Sequence, residues 1–430
     1  NLPLDVTAMS SAPPGLKGPA VTALDRDGAA EVGLEGAPGE ASPVFRTLVV
    51  APTVLRDVHA FLPELWIAGD LDGDDNLDLM LPALSGVEVF RGTGEGFSMK
   101  PSARLSLPGD DDALAGGRVR RRYPLPRVED VDGDGLPDLV VGGPGSEHTR
   151  EVWVLAGAGE GRFLPARRIG VGCLKTRLAK GGDPEMIQFG DLDGKPGAEL
   201  AVQREIDTDQ GDIKEAKQPH SIVSFHKVKA GFEVDPDPYF EIEVVGYPFN
   251  GQLAGGSPVP FRDLDGDGRK DLITVTLDFS LFQVLRVLTT KKLGIGLDFH
   301  VWRQEKDGTF AEVQGLKLSD KILLDLNDLK WNRLGNFAGD FDGDGLQDFL
   351  TLKGGRTVEI TRGAPGCAYA TSPDYKLKLV EEPQDAGFVR VMDLDGDGRD
   401  DLAVTRLLEV DPSGASTPVV LDLYVSGKGR

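Results

Sequence analysis

Cysteine, long apolar runs and local catalytic motifs are all scarce in this chain. Only two cysteines, Cys173 and Cys367, occur in 430 residues, so no disulfide framework holds the fold together, and we expect buried or free thiols. No stretch approaches the roughly 20 apolar residues that span a bilayer, so we expect no membrane insertion. Basic residues are outnumbered by acidic ones, 47 to 70, which argues against a nucleic-acid partner because phosphate binding needs basic surface.

Motifs of catalysis do not stand out either. The five histidines show no spacing typical of zinc ligands, and no G-x-S-x-G nucleophile motif is evident. Enzymes that gather catalytic residues from distant parts of a chain leave no local signature. The sequence therefore gives no catalytic residue and leaves enzymatic function open.

Repeats are what the chain has in abundance. Seven segments align on a nine-residue loop with acidic residues at positions 1, 3, 5 and 9, followed at once by an apolar run. The complete loops span residues 70–78, 130–138, 263–271, 340–348 and 393–401. Two further loops are degenerate. The loop at residues 23–31 has Ala23 at position 1, followed by Asp25 and Asp27. The loop at residues 191–199 has Asp191 and Asp193, but Lys195 at position 5.

Each repeat has room for four short strands. An apolar stretch enters the acidic loop (strand A), strand B follows the loop, and an alternating segment such as Val87–Phe90 makes strand C. A glycine-rich turn then leads to strand D, as at residues 375–379. Units of this size are typical of propeller blades, so we predict an all-β, seven-bladed β-propeller of four-stranded antiparallel blades, with residues 1–430 forming one domain.

The last repeat stops after strand C, at residues 419–424, and the turn that follows. Residues 2–7 resemble the other D strands. We predict that this N-terminal strand pairs with strand C of the last blade, a 3+1 closure that would remove exposed strand edges.

Calcium is the cation that these loops suit. It takes six to eight oxygen ligands, and carboxylates on alternate residues of a short loop can face one centre. Position 7 offers its carbonyl, and glycine at position 6 permits the sharp turn. Asp75 takes that glycine's place in the second repeat, where aspartate tolerates left-handed geometry. An EF-hand is rejected because position 12 is not glutamate and the flanks read as strands.

Five complete loops without a cation would hold clustered carboxylates that repel one another. We therefore expect about five Ca²⁺ sites, whose ligands are Asp70, Asp72, Asp74, Asn76, Asp78; Asp130, Asp132, Asp134, Leu136, Asp138; Asp263, Asp265, Asp267, Arg269, Asp271; Asp340, Asp342, Asp344, Leu346, Asp348; and Asp393, Asp395, Asp397, Arg399, Asp401.

The repeated D-x-D-x-D-G-x-x-D-[LF] motif resembles the FG-GAP and VCBS repeats of the integrin α-subunit propeller and of many bacterial secreted proteins. The resemblance covers essentially the full chain. It implies calcium loops between strands A and B on one face, and ligand-binding loops mostly on the opposite face. Ala23 and Lys195 depart from the motif in the two degenerate loops.

Ligand binding is expected on the loops that vary in length, which join strands B to C and D to A. The longest B–C insertions lie near residues 204–219 and 277–296. The candidate ligand-face residues are Arg118, Arg120, Arg121, Arg122, Tyr123, Trp331 and Arg333. A solvated loop with internal ion pairs is the alternative interpretation of the basic run.

The sequence favours a secreted, periplasmic or cell-surface module that recognises a protein or glycan, as in adhesion, with calcium serving stability. The first residue, Asn1, is consistent with a processed N-terminus. Two alternatives stay open: a carbohydrate-active enzyme such as a polysaccharide lyase, in which the arginines neutralise a uronate, and a structural subunit of a surface assembly.

Overall fold

A computed structural model describes most of the chain and contains strands throughout. The described residues are 8–11, 16–19, 21–25, 27–35, 42–53, 67–114, 118–142, 151–170, 174–176, 181–192, 195–206, 219–248, 261–278, 292–316, 318–325, 336–352, 355–383, 389–407 and 419–427. Within these ranges no residue is helical, and accordingly no helix there is long and apolar enough to cross a membrane.

The first three blades occupy the N-terminal part of the chain. Blade 1 contains β1 (Ala8–Ser11), β2 (Val21–Leu24), β3 (Gly28–Glu35) and β4 (Ser42–Val50). Blade 2 contains β5 (Ala68–Gly69), β6 (Asp78–Ala83), β7 (Gly86–Phe90) and β10 (Ala103–Ser106), with the small hairpin β8 (Gly92–Thr93) and β9 (Gly96–Phe97). A separate hairpin follows, β11 (Asp110–Leu114) and β12 (Arg118–Arg122). Blade 3 contains β13 (Arg127–Glu129), β14 (Asp138–Val141), β15 (Glu151–Leu155) and β16 (Arg167–Gly170).

The other four blades follow in order. Blade 4 contains β17 (Gly181–Gly190), β18 (Glu199–Ile206), β19 (Pro219–Lys229), β20 (Glu233–Val234) and β21 (Phe240–Val245). Blade 5 contains β22 (Tyr247–Pro248), β23 (Phe261–Arg262), β24 (Asp271–Asp278), β25 (Lys292–Gln304), β26 (Phe310–Glu312) and β27 (Leu318–Asp325). Blade 6 contains β28 (Asn336–Gly339), β29 (Asp348–Leu352), β30 (Thr357–Thr361) and β33 (Tyr375–Lys378), with the hairpin β31 (Gly363–Ala364) and β32 (Ala368–Tyr369). Blade 7 contains β34 (Val389–Met392), β35 (Asp401–Leu407) and β36 (Val419–Tyr424).

These antiparallel sheets form a seven-bladed β-propeller, as the repeat predicts. Blades 2, 3 and 6 have four main strands in the predicted A-B-C-D order. Blades 4 and 5 are larger, with five and six paired strands, because β20 and β26 add short pairings and two pieces, β22 and β23, occupy the inner edge of blade 5. The uniform four-stranded blade is thus an approximation.

Ring closure is only partly visible. The predicted closing strand, residues 2–7, lies outside the described residues, and blade 7 shows three strands in the part that is described. The next strand, β1, pairs with β2 of blade 1, with Ala8 opposite Leu24. The 3+1 pairing with β36 therefore stays a prediction.

The core lies between neighbouring blades. Phe225 of blade 4 stacks on Phe310 of blade 5 at 4.8 Å between ring centroids, and Phe299 of blade 5 meets Phe349 of blade 6 edge to face at 5.1 Å. The residue at position 2 of each described loop from the second to the seventh is also buried: Leu71, Val131, Leu192, Leu264, Phe341 and Leu394. Blade-to-blade burial of apolar surface therefore begins inside the acidic loops themselves.

A buried aspartate at position 9 joins two parts of each blade that has a complete acidic loop. Its Oδ2 accepts the backbone N–H of position 2, and its Oδ1 accepts a backbone N–H from the region where strand C ends. In blade 6, Asp348 accepts from Phe341 at 3.0 Å and from Gly363 at 2.9 Å. The same two bonds recur at Asp78, Asp138, Asp271 and Asp401. The A–B loop and the C–D connection therefore lie on one face.

Removal of this carboxylate should destabilise the propeller. Asp348→Ala leaves two buried N–H groups without an acceptor, at about 1–3 kcal/mol each, so we expect a melting temperature lower by several degrees in chelator. The control Asp298→Ala changes an exposed strand residue and should melt as the wild type does. Equal melting of both variants would contradict this role for position 9.

Candidate metal centres in the loop ring

Each complete acidic loop wraps around its first aspartate. In loop 6, Asp340 accepts the N–H of Gly343 on Oδ1 at 2.7 Å and the N–H of Gly345 on Oδ2 at 2.8 Å. The bond from position 6 to position 1 recurs in all five complete loops. Position 1 therefore determines the curvature of the loop around the carboxylates.

Two left-handed residues permit this wrap. Position 6 has positive φ in every complete loop, including 65° at Asp75, which confirms the expectation that aspartate replaces glycine there. Position 4 is also left-handed in all five, with glycine each time: Gly73, Gly133, Gly266, Gly343 and Gly396. Glycine at position 4 was not among the features predicted from the sequence, although the recurring D-x-D-G spacing indicates it.

The position-3 carboxylates have oxygens that nothing satisfies. Oδ1 of Asp72, Asp132 and Asp265 is buried and has no hydrogen-bond donor in the described structure. Position-1, position-3 and position-9 oxygens lie within 4.8 Å of one another at Asp70, Asp72 and Asp78 and at Asp130, Asp132 and Asp138. Buried charged oxygens without donors are costly unless a cation binds them, so these donor sets fit a hard divalent cation such as Ca²⁺.

The other complete loops bring different acidic positions together. Asp263, Asp265 and Asp267 form one cluster with oxygens within 4.8 Å, and Asp340, Asp342 and Asp344 form another. The residue type at position 7 varies, as Asn76 and Leu136 show. In all five loops, however, the backbone N–H of position 7 donates to the carboxylate of position 5. A bound calcium would take the carboxylates of positions 1, 3, 5 and 9 and the carbonyl of position 7, and would neutralise their charge.

Arginines already oppose part of this negative charge. Arg91, Arg303 and Arg362 each stand at the end of strand C and pair with the position-3 aspartate of their own blade's loop: Asp72, Asp265 and Asp342 respectively. Within their own loops, Arg269 pairs with Asp267 and Arg399 with Asp397. The equivalent residue in blade 3 is Ala156, so the third loop has no such arginine.

The two degenerate loops depart from this geometry. In blade 1, Leu24 pairs with Ala29, and Asp25 Oδ1 accepts the N–H groups of Asp27 and Gly28, both at 2.8 Å. A tight turn therefore replaces the nine-residue loop. In blade 4, Glu199 takes the position-9 role, since it accepts from Leu192 N–H at 2.7 Å while Lys227 Nζ donates to its other oxygen at 2.7 Å.

Backbone hydrogen bonds join three pairs of neighbouring loops. Ala198 N–H of loop 4 donates to Val131 O of loop 3 at 3.0 Å, and Gln347 N–H of loop 6 donates to Leu264 O of loop 5 at 3.2 Å. Asp400 N–H of loop 7 likewise donates to Asp340 O of loop 6 at 2.7 Å. The candidate metal centres of loops 5, 6 and 7 therefore lie side by side on one face.

Burial shifts the acidity of several carboxyls in this ring. Desolvation raises the pKa of Asp78 and of Asp348 to about 6, against the backbone N–H bonds that lower it. Burial similarly raises the pKa of Asp400 to about 6, helped by the nearby charge of Asp340. Without a cation, these carboxyls therefore take up protons at a higher pH than ordinary carboxyls do.

The candidate ligand-face residues are only partly described. The register of the β11–β12 hairpin sets Asp110, Asp111 and Asp112 opposite Arg122, Arg121 and Arg120. Arg118 lies opposite Leu114. The Tyr123 hydroxyl lies within hydrogen-bonding distance of the carbonyl oxygens of Ala83 and Gly86, between which it shares its single proton, so it connects the start of blade 3 to the B–C turn of blade 2.

Other predicted features fall outside the described residues. Trp331 and Arg333 are among them, as are Cys173 and the central parts of the two long B–C insertions, residues 207–218 and 279–291. Cys367 is described, and it is a buried free thiol.

Comparison with known families finds one matching stretch. Residues 130–194, which run from the third acidic loop into the fourth, match the family described as FG-GAP-like repeat. Comparison with curated protein sequences gives no match.

Solved structures resemble the chain only distantly. The Tc holotoxin pore of Photorhabdus luminescens is 16% identical with a TM-score of 0.40, over 94% of this chain and 16% of the toxin chain. The periplasmic gluconolactonase of Pseudomonas aeruginosa is 11% identical with a TM-score of 0.37, over 87% and 85% of the two chains. A V. cholerae biofilm matrix protein is 10% identical with a TM-score of 0.32, over 99% and 88%. Such distant similarity carries no functional argument.

The raised pKa values predict an unusual pH dependence for the metal-free protein. Between the ordinary carboxyl pKa of 3.8 and the raised value of about 6, the folded state binds more protons than the unfolded state, so stability rises as pH falls through this window. We expect the melting temperature in chelator to increase from about pH 7 to about pH 5.

The variant Asp400→Asn should show a smaller increase, while Asp298→Asn, on an exposed strand residue, should keep the wild-type slope. A melting temperature that falls steadily over this range in chelator would rule out the raised values. In calcium the slope should reverse, because protons compete with the metal for carboxylates.

Proposed function

The chain is a seven-bladed propeller that carries an FG-GAP-like repeat, and from this premise we propose that it is a calcium-stabilised recognition module working outside the cytoplasm. Calcium would bind in the loop ring, and a protein or glycan would bind on the opposite face. Calcium binding is supported chiefly by one observation: in three complete loops, Oδ1 of the aspartate at position 3 is buried and has no hydrogen-bond donor.

Calcium should bind best in the third loop. Its acidic side chains accept backbone N–H groups, as Asp130 does from Gly133 and Gly135 and Asp134 does from Leu136. Asp132 Oδ2 has only a long bond from Gly231 N–H at 3.3 Å, and no arginine pairs with this loop among the described ion pairs. A cation would therefore meet negative charge without having to displace an arginine.

The recognition part rests on where the repeat varies. Strand pairing in blade 2 ends at the B–C turn between Ala83 and Gly86, whereas in blade 5 the equivalent pairing continues to Asp278 and Gly296. Blade 4 similarly pairs as far as Glu205 and Ser221. The β11–β12 hairpin adds to the same face, in the connection between blades 2 and 3. These additions lie away from the loop ring, and varied loops on a rigid scaffold are where binding commonly resides.

Calcium should raise the stability of the protein. A cation that binds only the folded state at 100 times its dissociation constant adds about 2.7 kcal/mol per site, so we expect a melting temperature several degrees higher in millimolar calcium than in chelator. Asp132→Asn should reduce this increase, because it removes charge from the third loop. The control Asp25→Asn keeps the acceptor of a tight turn and should respond as the wild type does. Identical melting of the wild type in calcium and in chelator would refute the calcium proposal.

Glycan recognition can be tested with a panel of acidic and neutral polysaccharides in calcium buffer. We expect retention of one class by the immobilised protein and no unsaturated or reducing-end product over hours. If the ligand is acidic, Arg120→Ala with Arg121→Ala should weaken binding about tenfold, or ~1.4 kcal/mol. The control Arg104→Ala removes an exposed arginine that pairs with Glu88 on blade 2 and should bind normally.

Product formation that disappears in the Arg120→Ala, Arg121→Ala variant would overturn the binding-module proposal in favour of a polysaccharide lyase. Absence of binding to every polysaccharide would leave a protein as the partner to seek.

A further inference from the structure

The fifth loop differs from the other loops because a thiol reaches it. Cys367 Sγ lies 3.3 Å from Oδ2 of Asp271, at position 9 of this loop. Ligand atoms of Asp265, Asp271 and Cys367 all lie within 4.8 Å of one another. Cys367 and Asp271 are fully buried, and the Asp265 side chain is 3% exposed. Two carboxylates and a thiol thus share one water-excluded point.

The thiol comes from the next blade through a contact that the ring repeats. In blades 3 and 4 the turn after strand C approaches position 3 of the preceding loop: Gly161 of blade 3 faces Asp72, and Gly231 of blade 4 donates its N–H to Asp132. In blade 6 the corresponding turn carries Cys367, between β31 and β32. A glycine or a backbone group therefore makes this contact in blades 3 and 4, and a cysteine side chain makes it in blade 6.

Backbone conformation makes this cysteine unusual. Its φ is 57°, in the left-handed region, and Gly161 has 65° at the corresponding place. Residues other than glycine, asparagine and aspartate are disfavoured in the left-handed region by about 1 kcal/mol or more. The fold accommodates that cost and places the sulfur against the acidic cluster.

An independent observation indicates a missing ligand. Oδ1 of Asp265 is buried and has no hydrogen-bond donor, while its Oδ2 pairs with Arg303 at 3.0 Å. Asp271 uses both oxygens for N–H groups, from Leu264 and Gln304. Asp265 therefore brings to the cluster a buried carboxylate with one unsatisfied oxygen, and a cation bound between this carboxylate and the sulfur would compensate it.

We propose that the fifth loop and Cys367 form a site for a thiophilic divalent cation of the zinc class, held by Asp265, Asp271 and Cys367. Calcium binds oxygen ligands and gains little from sulfur, whereas zinc and cadmium bind thiolate and carboxylate together. As the metal–sulfur bond forms, the S–H bond breaks and its proton leaves to solvent. The site would join blade 5 to blade 6, in contrast to calcium sites made by single loops.

Cadmium alone is a suitable probe because its bond to thiolate gives a charge-transfer absorption in the near ultraviolet. Full-length protein, cleared of metal with chelator, is titrated with Cd²⁺ in millimolar calcium. We expect one equivalent to produce the band, and Zn²⁺ to remove it by displacement. Cys367→Ser should abolish the band, and Asp265→Asn should weaken Cd²⁺ binding by about tenfold or more.

Cys173→Ser is the matched control, since it removes the only other cysteine in the chain and should keep the band. Absence of a band from the wild-type protein, with or without calcium, would overturn the proposal, as would a band that survives Cys367→Ser and disappears in Cys173→Ser. A calcium-dependent rise in melting temperature that persists in Cys367→Ser separates this outcome from failure of the calcium proposal and shows that the variant folds.

Discussion

The buried carboxylate at position 9 is the interaction on which the rest of the structure depends. Its two oxygens accept backbone N–H groups from the beginning of the acidic loop and from the end of strand C, as Asp348 does from Phe341 and Gly363. One side chain thereby determines where strand B begins and holds the two connections of a blade on the same face. In blade 4, Glu199 and Lys227 perform the same task with a longer carboxylate and a side-chain cation.

This arrangement concentrates negative charge where water is excluded. Arginines at the ends of the C strands, such as Arg91 and Arg362, partly offset the repulsion between these carboxylates and the cost of removing them from water. The remaining cost raises the pKa of carboxyls such as Asp78. The arginines qualify the expectation that clustered carboxylates by themselves require a metal. The unpaired oxygens at position 3 are the stronger argument for a cation, because no donor satisfies Oδ1 of Asp72, Asp132 or Asp265 even where an arginine pairs with the other oxygen of the carboxylate.

The two faces of the propeller differ: one holds the bonded acidic loops, and the other holds the parts of the blades that vary in length. On the loop face, backbone bonds such as Gln347 N–H to Leu264 O connect one loop to the next, so a change in loop length would disturb neighbouring blades. On the opposite face, blades 4 and 5 extend their strands and the β11–β12 hairpin is inserted without breaking those bonds. Longer strands and inserted hairpins are therefore accommodated mainly on the face where we propose that partners bind.

Local pattern was sufficient for much of this architecture. Spacing of the acidic loops predicted seven blades, and alternation predicted strands such as β7, β15 and β36 close to their observed bounds, because a strand and the turn beside it are determined mainly by adjacent residues. The left-handed backbone conformation of Asp75 was likewise predicted, because aspartate adopts positive φ more readily than most residues. The first repeat differs from its predicted nine-residue loop, because Leu24 pairs directly with Ala29 and the acidic spacing at Asp25 persists in a tight turn.

Contacts between blades were decided only in the tertiary structure. Arg303 lies 38 residues from Asp265, and Cys367 lies 96 residues from Asp271, so no periodicity in the chain links them. They meet because the ring brings the end of strand C over its own loop and the following turn against the loop of the preceding blade. The sequence by itself determined the blade and its acidic loop, whereas the closed packing of seven blades decided which cations, thiols and carboxylates face one another.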